Sequence, residues 1–142
     1  MRHHQAFSSV RAFRWVSPAV ALAVFLAACD PIRVISVSRE IDRPPDDSCV
    51  VSVLRASGHV RTAGVSSDGT VFAELAIPPG IDPPNPRRKT ELLVQESQTK
   101  AGKIDFTFRV LWVGVEGSTA YHRYVEKILR KLQSAALEAC SH

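Results

Sequence analysis

The sequence predicts an α+β fold: a two-layer sandwich whose antiparallel four-stranded sheet carries two helices on one face in the order α-β-β-β-β-α, preceded by a signal peptide and a tether. Three observations predict it. Residues 118 to 140 repeat apolar side chains at three- and four-residue steps, the period of an amphipathic helix. Ile104, Phe106, Phe108, Val110 and Trp112 alternate with Asp105, Thr107, Arg109, Leu111 and Val113, the period of a strand. Between residues 59 and 77 two further alternating runs flank Ser67-Asp68-Gly69, where Asp-Gly supplies the positive φ that a tight hairpin needs.

The chain opens on a different pattern. Residues 1 to 14 hold Arg2, Arg11 and Arg14 and no acid, and they run into Ala19-Val20-Ala21-Leu22-Ala23-Val24-Phe25-Leu26. A basic segment, a short apolar run and small residues after it form a secretory signal peptide over residues 1 to 28. Even counted from Trp15, the apolar run is shorter than the roughly 20 residues that span hydrocarbon. The run ends in Leu26-Ala27-Ala28-Cys29, which resembles the bacterial lipobox. The resemblance covers only the leader and its cysteine. It implies that the Cys29 thiol takes a diacylglyceryl group, that the leader is cut before Cys29, and that the protein is a bacterial lipoprotein held on the membrane by its acyl chains. Two or more chains anchor stably where one binds marginally. Asp30 follows directly and resembles the residue that keeps enteric lipoproteins in the inner membrane, which tilts the expected location toward that membrane and leaves the outer membrane open.

With the leader removed, residues 46 to 142 form one domain on a tether of residues 29 to 45, where Pro31, Pro44 and Pro45 bracket a segment containing Ile32, Val34 and Val37. Losing Arg2, Arg11 and Arg14 from 18 Lys+Arg leaves 15 against 14 Asp+Glu, so the +4 charge of the whole chain falls to +1. That balance argues against a nucleic-acid partner. Of three cysteines, Cys29 goes to lipid, and Cys49 and Cys140 remain as an even pair in a chain bound for an oxidising space. A Cys49–Cys140 disulfide is therefore expected.

The remaining elements follow in order. Residues 46 to 57 carry both helix and strand signals. Asp46 or Asp47 can cap a helix, Gly58 can end it, and Cys49, Val50, Val53, Leu54 and Ser57 share a helical face. The run Cys49 to Leu54 favours strand by propensity, and cap and period together favour the helix. Strands are expected at 59 to 66, 70 to 77, 90 to 95 and 103 to 113. Pro78 to Lys89 contains five prolines, which cannot donate to a ladder, and reads as a stiff exposed loop. In the final helix Ser118 or Thr119 caps the start, and Tyr121, Tyr124, Val125, Ile128, Leu132, Ala135, Ala136 and Ala139 form the apolar face. Helices carrying Cys49 and Cys140 on one face of the sheet would lie side by side.

No catalytic set, cofactor motif or metal site is evident. His59, His122 and His142 are isolated, Cys49 and Cys140 are too far apart for a Cys-x-x-Cys site, and there is no Gly-x-Ser-x-Gly elbow or phosphate-binding glycine loop. Asp46 and Asp47 read as helix caps and Asp68 as a turn residue. Two features suit binding. Arg87-Arg88-Lys89 ends the proline-rich loop as a basic tip suited to anionic headgroups, glycans or an acidic partner. Phe72, Leu111 and Val113 fall on the outer face of the sheet, either exposed as a partner patch or covered by the tether. The expected protein is thus a lipid-anchored module of the bacterial envelope facing the periplasm, non-catalytic, with the membrane as partner through Cys29 and an envelope protein as a second partner. The alternatives are an envelope hydrolase assembled from scattered groups such as His59, Asp68 and His122, and an inhibitor or accessory factor of an envelope enzyme or secretion system.

Overall fold

The computed structural model describes residues 30–140. The expected leader, Cys29 and His142 lie outside the described residues. The elements run β1 (Ile32–Ile41), α1 (Asp47–Ala56), β2 (Val60–Val65), β3 (Val71–Leu75), β4 (Glu91–Gln98), β5 (Ile104–Val113) and α2 (Thr119–Cys140). The architecture is α+β, with an antiparallel sheet and two helices as expected. The sheet, however, has five strands in the order β1-β5-β4-β3-β2, and the chain order is β-α-β-β-β-β-α.

The additional strand corrects the reading of residues 29 to 45 as a tether. Pro31, Pro44 and Pro45 flank Ile32–Ile41 without interrupting it, so every residue within the strand keeps its donor. β1 pairs antiparallel with β5 along its whole length, from Ile32 opposite Val113 to Ile41 opposite Ile104. Only Ile35 and Val37 are buried in it, because an edge strand with a solvated outer face needs little apolar surface. The compact unit thus begins at Pro31 rather than near 46.

α1 forms because Asp46 takes the N-cap place, its carboxylate accepting from the Cys49 N–H at 3.1 Å. The Ser48 hydroxyl also donates to that carboxylate, and the two bonds, the hydroxyl first, hold the Asp46 carboxyl below its ordinary value. Past the other end, Gly58 turns the chain with φ of 72°, where other residues are strained. The hairpin between β2 and β3 closes as expected, with Gly69 at φ 84° and the Asp68 carboxylate accepting from the Thr70 N–H at 3.1 Å. α2 starts where Ser118 Oγ accepts from the Tyr121 N–H at 3.1 Å, and Arg130 Nη2 reaches Glu126 Oε1 at 2.7 Å across one turn.

Both helices cover one face of the sheet. On it stand Ala63, Val71, Ala73, Leu75, Leu92, Val94, Phe106, Phe108 and Val110, joined by Ile35 and Val37, and against them Val50, Val51 and Leu54 of α1 and Tyr121, Val125, Ile128, Leu129, Leu132, Ala136 and Leu137 of α2. The buried stripe of α2 is shifted from the apolar face read from sequence: Leu129, Gln133 and Leu137 also turn inward, whereas Tyr124 and Ala135 are half-buried and Ala139 is exposed. Gln133 is the polar exception: its Nε2 donates to Val37 O of β1 at 3.2 Å and to Phe106 O of β5 at 2.7 Å. One carboxamide thus stitches the first strand to its neighbour. The helices are joined covalently by the Cys49–Cys140 disulfide, with S–S 2.08 Å and Cα atoms 5.9 Å apart.

Candidate functional site

An apolar cleft forms where the sheet comes apart at one end. The last β4–β5 pair toward this end is Leu92 with Val110, and the proline-rich segment departs just before Glu91. Pro83 and Pro84 cannot extend the ladder, so the loop bows away from Leu111, Trp112 and Val113. The resulting cleft has a volume of about 390 Å³, at the small end of the range for ligand pockets. Its walls are Pro84, Val110, Trp112 and Tyr121, with Arg88 and Thr90 among its polar groups.

An aromatic cluster holds the inner wall. Trp112 meets the Tyr121 ring edge-to-face at 5.7 Å and the His122 ring at 5.6 Å. Its indole Nε1 donates to Val115 O at 2.8 Å, which fixes the turn between β5 and α2. Burial pushes the Tyr121 phenol pKa up, with the Thr90 hydroxyl bonding partly offsetting it. Gly117 packs against two of the lining residues: a Cβ there would lie 2.8 Å from Tyr121 Cδ1 and 3.1 Å from Pro84 Cγ, so glycine lets the loop pack against the start of α2. His122 Nε2 and Arg33 Nε are buried here without a hydrogen-bond partner.

The basic tip divides into two parts. Lys89 Nζ lies 2.8 Å from Glu74 Oε2, and Arg61 Nη1 lies 3.6 Å from Glu74 Oε1. Glu74 stands on the outer face of β3 yet is only 8% exposed, because these two cations cover it. Lys89 is therefore engaged within the fold. Arg87 and Arg88 remain exposed, on a turn in which Asn85 Oδ1 accepts from the Arg87 N–H at 3.2 Å. Of these two arginines Arg88 lines the cleft, as does Lys89.

No family model matches the chain, and no curated protein matches it. The crystal structure of the di-domain ARO/CYC StfQ from the steffimycin biosynthetic pathway is similar to it with a TM-score of 0.33 at 12% identity, over 75% of this chain and 49% of that one. The chain spans about half the length of that structure, and a likeness of this degree assigns no activity.

The scattered groups weighed for a hydrolase have separate partners. His59 Nε2 is 3.0 Å from Lys131 Nζ, Asp68 accepts from Ser66 and Thr70 within its turn, and His122 sits beside Trp112. Among the described residues, no three His, Cys, Asp or Glu side chains gather as a metal site. Asp46 caps α1. On the outer face Phe72 and Leu111 are half-buried and Val113 is exposed; Ile32–Ile41 lies beside Leu111 and Val113 as the edge strand β1, in the plane of the sheet, with two strands between it and the strand of Phe72. Sequence reasoning missed the cleft. Its signals were Gly117 and the Trp112, Tyr121 and His122 cluster, which become one wall only when β5 and α2 are placed together.

Proposed function

We propose that this protein is a small lipoprotein of the bacterial cell envelope, anchored through acylated Cys29 and facing the periplasm, that works as a non-catalytic binding or assembly module. The observation that carries the reading is Leu26-Ala27-Ala28-Cys29 at the end of a basic and then apolar leader. The Cys49–Cys140 bond supports it, since such bonds persist in oxidising compartments. The cleft beside Trp112, with Arg88 at its lip, is the element offered to a partner: apolar walls supply affinity, and a cation orients an acidic group. Asp30 tilts the location toward the inner membrane.

Growth with labelled palmitate tests the anchor. The protein should carry label in the membrane fraction, and Cys29→Ala should lose the label. An unlabelled, soluble wild-type protein contradicts the reading. Crosslinking in the native envelope from a photoreactive residue at Arg88 should then capture an envelope protein, and capture should fall in Trp112→Ala. Unchanged capture in that variant would remove the cleft from the account.

A further inference from the structure

The corner at which β1 begins is built to meet a surface, and the chain itself says which one. Ile32 is 70% exposed, Val34 49%, Val113 54% and Val115 77%. Ile32 pairs with Val113 and Val34 with Leu111 across the β1–β5 ladder, so these aliphatic side chains share the outer face of the sheet as neighbouring pairs. Val115 lies two residues past Val113. Besides these, the only large exposed aliphatic among the described residues is Val65, on the opposite edge strand β2. Four of the five large exposed aliphatic side chains among the described residues gather at this corner, and such a cluster marks an interaction site.

The same corner is rigid and sits at the entry of the chain. Gly114 N–H donates to Pro31 O at 3.1 Å, and Trp112 Nε1 donates to Val115 O at 2.8 Å, so Pro31 is already tied into the fold. Only Asp30 and Pro31 separate Cys29 from Ile32. Three Cα steps reach at most about 11 Å. A domain so closely tethered cannot stand off the bilayer as one on a 17-residue leash would.

We infer that the corner formed by Ile32, Val34, Val113 and Val115 is the membrane-contacting face of the domain, seated among lipid headgroups and the first acyl carbons. The inference rests on the anchor at Cys29 and goes beyond it, because an anchored domain on a free leash would have no fixed orientation. The charges around the corner are balanced: Arg33, Arg87 and Arg88 stand against Asp30, Glu91 and Glu116, and Lys89 is spent on Glu74. Contact is therefore made by aliphatic side chains, and added salt should leave it unchanged. The arrangement also sets the cleft, lined by Ile32 and Val113, at the level of the headgroups.

The mature protein carries its own reporter. Removal of the leader takes Trp15 away and leaves Trp112, beside Val115, as the sole tryptophan of the two in the chain. The full-length protein is expressed, processed and reconstituted into phosphatidylethanolamine–phosphatidylglycerol vesicles containing lipids brominated near the headgroup end of the acyl chain. Trp112 emission should be quenched, equally at low and high salt. The Ile32→Asp/Val115→Asp variant should stay in the vesicles through its acyl chains and lose the quenching. A Trp112→Phe/Val65→Trp variant, whose fluorophore is on the far edge, should be unquenched. Acylated, vesicle-bound wild type with unquenched Trp112 overturns this inference and leaves the anchor standing; a dimer crosslinked through the corner under those conditions assigns the patch to a second copy and overturns it equally. Protein recovered without acyl chains overturns the anchor and the orientation together.

Discussion

Replacing both Cys49 and Cys140 with alanine should cost the domain most of what one cross-link can give. The bonded residues are separated by 91 positions, so the bond closes nearly the whole domain. On the chain-entropy relation a loop of that size restricts the unfolded chain by about 4.6 kcal/mol at 25 °C. The native state should change little, because α1 and α2 keep Val50, Leu54, Leu132 and Ala136 buried in the common core. The loss is therefore expected at about 3–5 kcal/mol, a large share of the stability of a domain of this size. The assay is urea unfolding followed by circular dichroism, with oxidised wild type against the double variant. Two readouts should move together. The extrapolated stability should fall, and the slope against urea should rise, because an uncross-linked unfolded chain exposes more surface. Intact wild type should also be two mass units lighter before reduction than after it, the two hydrogens of one bond. A change below about 0.5 kcal/mol with an unchanged slope would refute the reasoning, as would two thiols freely alkylated without reductant.

Three further outcomes are expected. Ile35→Ala should destabilise the domain by about 2–3 kcal/mol in the same urea assay, since Ile35 is buried in β1; a tether residue would give no measurable effect. Gln133→Leu keeps the volume and removes the donor to Val37 O and Phe106 O, and a loss of about 1–3 kcal/mol is expected, with amide exchange in β1 rising ahead of exchange in β3. The pH dependence has two opposed contributions. The Asp46 carboxyl is held below its ordinary value by the Ser48 hydroxyl and the Cys49 N–H, so the stability it adds is complete above the unfolded value and is lost as pH falls through the lower folded one; Asp46→Ala should flatten that acid limb. The Glu96 carboxyl, though exposed, is pushed up by partial desolvation and then by the Asp47 charge, so its ionised form disfavours folding. Glu96→Gln should be more stable than wild type at neutral pH, with the difference vanishing in acid.

What the sequence revealed depended on how much apolar pattern each element needed. β5 and α2 are buried along their length by many side chains, and their periods were plain. The β2–β3 hairpin was equally legible because Asp68-Gly69 allows few alternatives. α1 carried conflicting signals, and the cap decided: Asp46 satisfies a helix end, which strand propensity in Val50, Val51 and Val53 could not offset. β1 was misread because an edge strand at the margin of the helix layer buries only Ile35 and Val37 and its partner lies some seventy residues on, so its alternation resembled a linker between prolines. Gln133 followed from that miss: a buried glutamine has no reason on a helix until a strand with free carbonyls lies beneath it. The same holds for the basic tip. Lys89 is separated from Glu74 by the entire proline-rich loop, and only the fold brings the two together. The cleft needed three distant segments at once, and no local period encodes that.

The central claim is that Cys29 is the acylated first residue of the mature protein, and mass spectrometry of its amino-terminal peptide tests it most directly. Protein extracted from membranes and digested should yield a peptide that begins at Cys29, continues into Asp30-Pro31-Ile32-Arg33, and carries the mass of a diacylglyceryl group with or without an amide-linked acyl chain. A peptide that retains Ala27-Ala28 before an unmodified Cys29 would contradict the account.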